Sequence, residues 1–223
     1  ENTVYEQEIT VAVIDTGVEA DHELLAGRVE PTGFDSIDGV SCADKEGHGT
    51  HVAGIIASNT LDNVTIKPYR VLDEDGEGTD AQVVLGIEAA IEDGVDVINM
   101  SLGQQSGPHD GTSTLDKILD ELQGEGKIIC GAVGNDGKRK IHMSKVFTEE
   151  DTLGRSIADF YFKSMRQVTI DMWGEENNNF EIKALVYDAD KDTILYQSDY
   201  FSTADAVGKS FFGLMKDENG KNI

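Results

Sequence analysis

The chain has 223 residues, with 43 acidic against 18 basic side chains and a formal net charge of −25. Nucleic acid and anionic lipid are both held through Lys and Arg that displace counterions, so this balance argues against either as a partner. No apolar run approaches the roughly 20 residues a membrane helix needs. Hydrophobic residues at 39% are enough, at this length, to bury the core of one large domain or two small ones.

The chain opens Glu1-Asn2-Thr3-Val4-Tyr5, with neither Met nor a signal-peptide pattern, so Glu1 is not expected to be the natural start. Ile9–Asp15 is a β-branched run closed by Thr16-Gly17 and predicts a buried strand. A helix is expected from near His48 through Val52, Ile55 and Ile56, and a strand over Val64–Leu72. A second helix over Asp80–Glu92 carries Val83, Val84, Ile87, Ala90 and Ile91 on one face, and Val95–Leu102 follows as a strand. Thr112 or Ser113 suits the N-cap of a third helix, with Asp116 in its first turn and Leu115, Ile118, Leu119 and Leu122 on its apolar face. Lys127–Val133 is a further strand. Alternating strands and helices imply an α/β domain over residues 1–140, a parallel sheet with helices on both faces.

After residue 140 the periodicity changes. Gln167–Trp173 and Phe180–Tyr187 alternate apolar and polar residues, Asp192–Gln197 is a shorter candidate, and acidic, Asn-rich turns separate them. Strands of period two in series predict a second, β-rich antiparallel unit over 141–223, sandwich-like in form. Cys42 and Cys130 lack metal-ligand spacing, and Cys130 follows Ile128-Ile129, so a buried free thiol is expected there.

Two segments carry chemistry. Val11-Ala12-Val13-Ile14-Asp15-Thr16-Gly17 sets a carboxylate at the C-terminal end of a strand, where open α/β sheets place their sites. Alone it is ambiguous: Asp-Thr-Gly also marks aspartic proteases, and an Asp ending a strand can simply cap a turn. Gly47-His48-Gly49-Thr50-His51-Val52-Ala53-Gly54 sets a histidine among glycines at a helix start, with room beside the ring. A base of this kind is neutral near pH 7 and needs a partner on its second nitrogen, a role open to Asp15. Zinc is excluded, because His48 and His51 lie three apart with no Glu between them as in His-Glu-x-x-His.

Taken together, these two strings resemble the Asp and His motifs of the subtilase family, in the chain order of subtilisins, where Ser comes last. Val97-Ile98-Asn99-Met100-Ser101-Leu102-Gly103 resembles the strand walling the primary specificity pocket. Gly131-Ala132-Val133-Gly134-Asn135-Asp136-Gly137 resembles the segment carrying the oxyanion-hole asparagine. The resemblance covers about the first 140 residues. It implies a serine endopeptidase in which Asp15 orients His48, His48 is general base and then acid, and Asn135 donates to the oxyanion. Ser101, Leu102, Gly103, Ala132, Val133 and Gly134 are then expected to line the substrate cleft. Leu72 with Gly76, Glu77 and Gly78 is expected on the unprimed side. A polypeptide is the implied substrate, no cofactor is required, and family habit implies a secreted or extracytoplasmic protein. The oligomeric state is not specified.

The chain departs from the family where the nucleophile is due. Gly-Thr-Ser-Met-Ala is absent, and Gly111-Thr112-Ser113 precedes Asn135 instead of following it. The expectation is a chain that stops before the serine, its β-rich segment similar to the sandwich inserted between the Asn and Ser motifs of clostridial germination-type subtilases. A structural calcium ion is compatible with the family, but Asp73–Gly78 fails as an EF-hand because Val84 stands where the bidentate Glu belongs. Two rivals stand beside the protease reading. One is a catalytically dead subtilase scaffold, which would not require Asp15, His48 and Asn135 together. The other is an aspartic protease, which needs a second Asp-Thr-Gly or a symmetric dimer and leaves the His48 segment unexplained.

Overall fold

The computed structural model describes residues 7–104, 107, 110–124, 126–139, 142, 144, 146, 179, 181–183, 185–188 and 190–202. The chain divides into two compact units, Glu1–Ser144 and Lys145–Ile223.

In the first unit the order is β1 (Ile9–Asp15), β2 (Phe34–Asp35), α1 (His48–Asn59), β3 (Val64–Arg70), α2 (Asp80–Glu92), β4 (Val97–Met100), α3 (Thr114–Leu122) and β5 (Ile128–Gly131). The strands form one sheet in the order β2-β3-β1-β4-β5, with every pair parallel. β1 is central. Its Ala12 and Ile14 pack with Val83, Ile87 and Ala90 of α2, whereas Val13 packs with Ala53 and Ala57 of α1. The two helices therefore cover opposite faces, and a strand buried on both sides needs the unbroken apolar run Val11–Ile14 rather than alternation. Leu115, Leu119 and Leu122 of α3 lie against the α2 side.

Local chemistry sets the helix starts. Thr79 accepts from Gln82 N while the Gln82 side chain accepts from Thr79 N, and Ser113 and Asp116 make the same reciprocal box before α3. Each cap of this kind stabilises its helix by about 1 kcal/mol.

The expected strands over Val64–Leu72, Val95–Leu102 and Lys127–Val133 are present but shorter, because the residues past Arg70, Met100 and Gly131 turn out of the ladder to become loops. β2 was not anticipated: two residues carry no periodicity, and the strand exists because Phe34 and Asp35 pair with Tyr69 and Arg70. The expectation of a buried Cys130 is corrected. Cys130 is a free thiol but exposed, because β5 is an edge strand among the described residues and its Ile128 is itself 59% exposed.

In the second unit the expected strand over Phe180–Tyr187 is replaced by two pieces, β6 (Glu181–Ile182) and β7 (Leu185–Asp188), followed by β8 (Thr193–Gln197) and β9 (Phe201–Ser202). β6 pairs with β9 and β7 with β8, both antiparallel and each a separate two-stranded ladder. The expected Gln167–Trp173 strand lies outside the described residues.

Gly49 carries a close backbone approach that bears on the site: a β-carbon there would stand 2.1 Å from the Gly17 carbonyl oxygen. Gly54, in the same helix, has nothing within 4 Å of its would-be β-carbon. Gly49→Ala is therefore expected to destabilise the chain by about 1–3 kcal/mol, the usual cost of overpacking. Gly54→Ala is expected to stabilise it by roughly 0.5–1 kcal/mol through helix propensity alone. Urea unfolding of the two variants beside the parent checks both signs.

Candidate active site

Asp15 is the last residue of β1, and its backbone is tied to the neighbouring strand: the Asp15 carbonyl accepts from Val71 N at 2.8 Å and from Leu72 N at 3.2 Å. The side chain is fully buried, and its Oδ1 accepts from Thr16 N at 2.8 Å and faces His48 Nδ1 at 2.7 Å. Oδ2 has no hydrogen-bond partner among the described residues. Burial pushes the Asp15 carboxyl above its ordinary range, and the bonds from His48 and Thr16 offset this only in part.

His48 is the first residue of α1. The N-cap residue Gly47 sits at φ 112° and contributes no capping side chain, and His48 N instead donates to Glu46 Oε2 at 2.7 Å. Because an ionised carboxylate only accepts, the Asp15 contact puts the imidazole proton on Nδ1 and leaves the Nε2 lone pair free. Nε2 makes no hydrogen bond among the described residues, and the side chain is 47% exposed, so an approaching group can reach it. The hydrogen bond to Asp15 raises the proton affinity of His48 above the ordinary imidazole value, despite partial burial, and the charges of Asp15, Glu46 and Asp44 act in the same direction.

The remaining candidates gather at the same edge of the sheet. Val13 is in register with Asn99, and Asn99 with Cys130. The segments after Met100 and Gly131 therefore leave the sheet at the level of Asp15. Ser101 and Leu102 are half-buried there, with Ser101 Oγ accepting from Asn99 Nδ2 at 3.1 Å, and Gly103 is exposed. Ala132 N donates to the Met100 carbonyl at 3.0 Å, and Ala132, Val133, Gly134 and Asn135 are all exposed. Asn135 makes no hydrogen bond to Asp15 or His48.

The loop from Leu72 to Gly78 begins on the Asp15 carbonyl and closes on itself. Asp73 Oδ1 accepts from Asp75 N at 2.9 Å and Glu77 N at 3.0 Å, and Asp73 N donates to the Glu77 carbonyl at 2.9 Å. Asp73 thus spends its carboxylate on its own turn, while Glu74, Asp75, Gly76, Glu77 and Gly78 are exposed. Ser113 is likewise occupied: its hydroxyl donates to Asp116 Oδ2 at 2.7 Å and accepts from Asp116 N at 3.0 Å. Among the described residues no group of three or more His, Cys, Asp or Glu side chains is placed to hold a metal ion, and no helix is long and apolar enough to cross a membrane.

Asp44 escapes sequence reasoning altogether. It lies between the two motifs and receives hydrogen bonds from Thr16, Glu46, Gly47 and Thr50. The one available signal is its position just ahead of Gly47-His48, at the spacing of a turn that feeds a helix start.

The pair makes a definite pH prediction. The proton on His48 is held more tightly in the folded chain than in the unfolded one, so this contact adds stability that is complete below the unfolded imidazole pKa of about 6.5. That stability is lost as pH rises through the raised folded value. In an NMR titration His48 is expected to titrate above the ordinary imidazole value in the parent chain. Asp15→Asn, which removes the charge and the strong acceptor, is expected to bring it down. An unchanged titration in that variant would break the assigned contact.

The subtilase family model matches residues 6–172 of the chain. The minor extracellular protease Vpr of Bacillus subtilis is 40% identical over 146 residues, which is 58% of this chain and 18% of that protein. Subtilisin DY of Bacillus licheniformis is 39% identical over 137 residues, 58% of this chain and 48% of that one. The solved structure of a cold-adapted subtilisin-like serine proteinase aligns with TM-score 0.51 at 36% identity, covering 58% of this chain and 48% of the other. The chain thus spans about half or less of the length of these relatives. Its parallel sheet, its helices on both faces and the match over residues 6–172 establish that it belongs to the subtilase family.

Proposed function

We propose that this chain supplies the acid–base half of a serine endopeptidase, with Asp15 as the orienting carboxylate and His48 as the base. The observation that carries the proposal is the 2.7 Å contact between His48 Nδ1 and a fully buried Asp15 carboxylate, which leaves Nε2 open. In the proposed reaction a serine Oγ–H gives its proton to His48 Nε2 as Oγ attacks the carbonyl carbon of a polypeptide. The carbonyl oxygen takes up the negative charge, and the Asn135 amide donates to it. The imidazolium then returns the proton to the departing amine nitrogen, and water attacks the acyl-enzyme with the same base. Asp15 stays ionised throughout and stabilises the imidazolium. A neutral, fixed donor such as Asn is worth on the order of 3 kcal/mol in such a transition state, a figure that general physical experience takes from subtilisin itself. By kinship with the extracellular Vpr protease, action outside the cytoplasm is part of the same proposal.

The serine of this proposal is none of those described in the chain. Ser113 has both hydrogen-bonding capacities committed to Asp116, and no serine hydroxyl meets His48 among the described residues. A fluorophosphonate probe, which labels activated serines, is expected to leave the 223-residue chain unlabelled. It is expected to label a longer form that continues into a Gly-Thr-Ser segment. Stoichiometric labelling of the shorter chain would show that the nucleophile is already present.

The Leu72–Gly78 loop supports a second element of the proposal. It starts on the Asp15 carbonyl and exposes Glu74, Asp75 and Glu77, so an extended substrate running beside Gly76–Gly78 would meet carboxylates two and four residues before the cleaved bond. Cleavage profiling of the complete enzyme is expected to favour Lys or Arg at those subsites, and equal turnover of acidic and basic side chains there would reject it.

A further inference from the structure

The N-terminus of α1 offers backbone N–H groups with no intrahelical partner, and its N-cap, Gly47, has no side chain to receive them. Their actual partners come from two segments, the loop just before the helix and the turn that ends β1. His48 N donates to Glu46 Oε2 at 2.7 Å, Gly49 N to Thr16 Oγ1 at 2.9 Å, and Thr50 N to Asp44 Oδ2 at 2.9 Å. Gly47 N and Glu46 N both donate to Asp44 Oδ1, at 2.8 and 3.0 Å. Thr16 Oγ1, which accepts from Gly49, in turn donates to Asp44 Oδ1 at 2.9 Å, and Thr50 Oγ1 donates to Asp44 Oδ2 at 2.6 Å. Thr50 Oγ1 also accepts from Glu19 N at 3.0 Å, tying the helix to the chain just past the β1 turn.

One carboxylate therefore grips both bodies that must meet. Through Thr16 it holds the residue next to Asp15, and through Gly47 and Thr50 it holds the backbone on either side of His48. We propose that Asp44 is the positioning residue that fixes the Asp15–His48 distance, acting as a detached cap for α1 and as a clamp between that helix and the end of β1. It touches neither reacting atoms nor substrate. Charge and geometry agree: a carboxylate at a helix N-terminus is favoured by the helix dipole. Although burial alone would raise its pKa, the bonds from Thr50, Gly47 and Glu46 hold the Asp44 carboxyl below its usual range. It therefore stays ionised and accepting wherever His48 can act as a base.

The inference rests on reading Asp15 and His48 as the acid–base pair, and its test separates the two. In the 223-residue chain with 15N-labelled histidine, an Nδ1–H bonded to a carboxylate gives a far-downfield proton signal. Asp44→Ala is expected to abolish that signal and to lower the His48 pKa toward the ordinary imidazole value. Glu46→Gln, which removes a neighbouring charge but keeps an oxygen for His48 N, is expected to lower the pKa while retaining the signal. Asp96→Ala, which removes the acceptor of Thr10 N near the start of β1, is expected to change neither and controls for general loosening. Where Asp44→Ala does not fold, Asp44→Asn, unable to accept from Thr50 on its amide nitrogen, is expected to broaden the signal. The proposal is overturned if the Asp44 variants keep a sharp downfield signal and titrate no lower than Glu46→Gln, or if Asp96→Ala loses the signal as well. Absence of the signal in the parent chain would overturn the Asp15–His48 reading first, and this one with it.

Discussion

At Gly49 a β-carbon would stand 2.1 Å from the Gly17 carbonyl oxygen and 3.1 Å from the Asp15 β-carbon. The first turn of α1 is thus pressed backbone to backbone against the turn that ends β1. Only a glycine permits that approach from the helix side. On the strand side Gly17, at φ 105°, permits the turn, and its own β-carbon would meet the Cys42 carbonyl at 2.5 Å. A side chain at either position would push helix and strand apart, and the imidazole would leave hydrogen-bond range of Asp15 long before the sheet itself noticed. Gly49 and Gly17 are in this sense the steric half of the arrangement, and the carboxylate network around Asp44 is its polar half.

The acidic composition has a use that net charge does not reveal. Several carboxylates near the site accept from backbone N–H groups instead of facing water. Asp35 receives Ile37, Val40 and Ser41, Asp73 receives Asp75 and Glu77, and Asp44 receives Glu46, Gly47 and Thr50. Each such bond closes a short loop that has no hydrophobic core of its own. The buried Arg70 completes the pattern: at 2% exposure it pairs with Asp35 at 3.3 Å and Asp38 at 3.2 Å, pinning the Asp35–Gly47 connection to the end of β3. A buried guanidinium is costly unless paired, so this pairing sets where the connection lies more than it adds stability.

How much of this was legible in the sequence follows from how far each cause extends along the chain. β1 and α2 could be delimited because their signals are contiguous: a β-branched run closed by Thr16-Gly17, and an apolar face introduced by Thr79 and Gln82. Asp15 and His48 could be singled out because each sits in a short string with distinctive neighbours. β2 was not legible, since two residues have no period and its cause is pairing with a strand more than thirty residues on. The exposure of Cys130 was misjudged for a similar reason. An apolar run records what a strand is made of, but not whether a neighbour covers it. Asp44 was invisible because its five hydrogen bonds make sense only once residues 16, 46, 47 and 50 are brought together.

The sheet is unequally protected from one side to the other. β1 is flanked by β3 and β4 and is buried along Val11–Asp15, while β5 lies at the edge with Ile128, Cys130 and Gly131 exposed. Edge strands with little burial open at low free-energy cost, whereas central ones open only with the whole domain. Amide hydrogen exchange should therefore run early in β5 and late in β1. Since Asn135 hangs from β5 and Asp15 from β1, fraying of that edge would carry the proposed oxyanion donor away while the acid–base pair stays assembled.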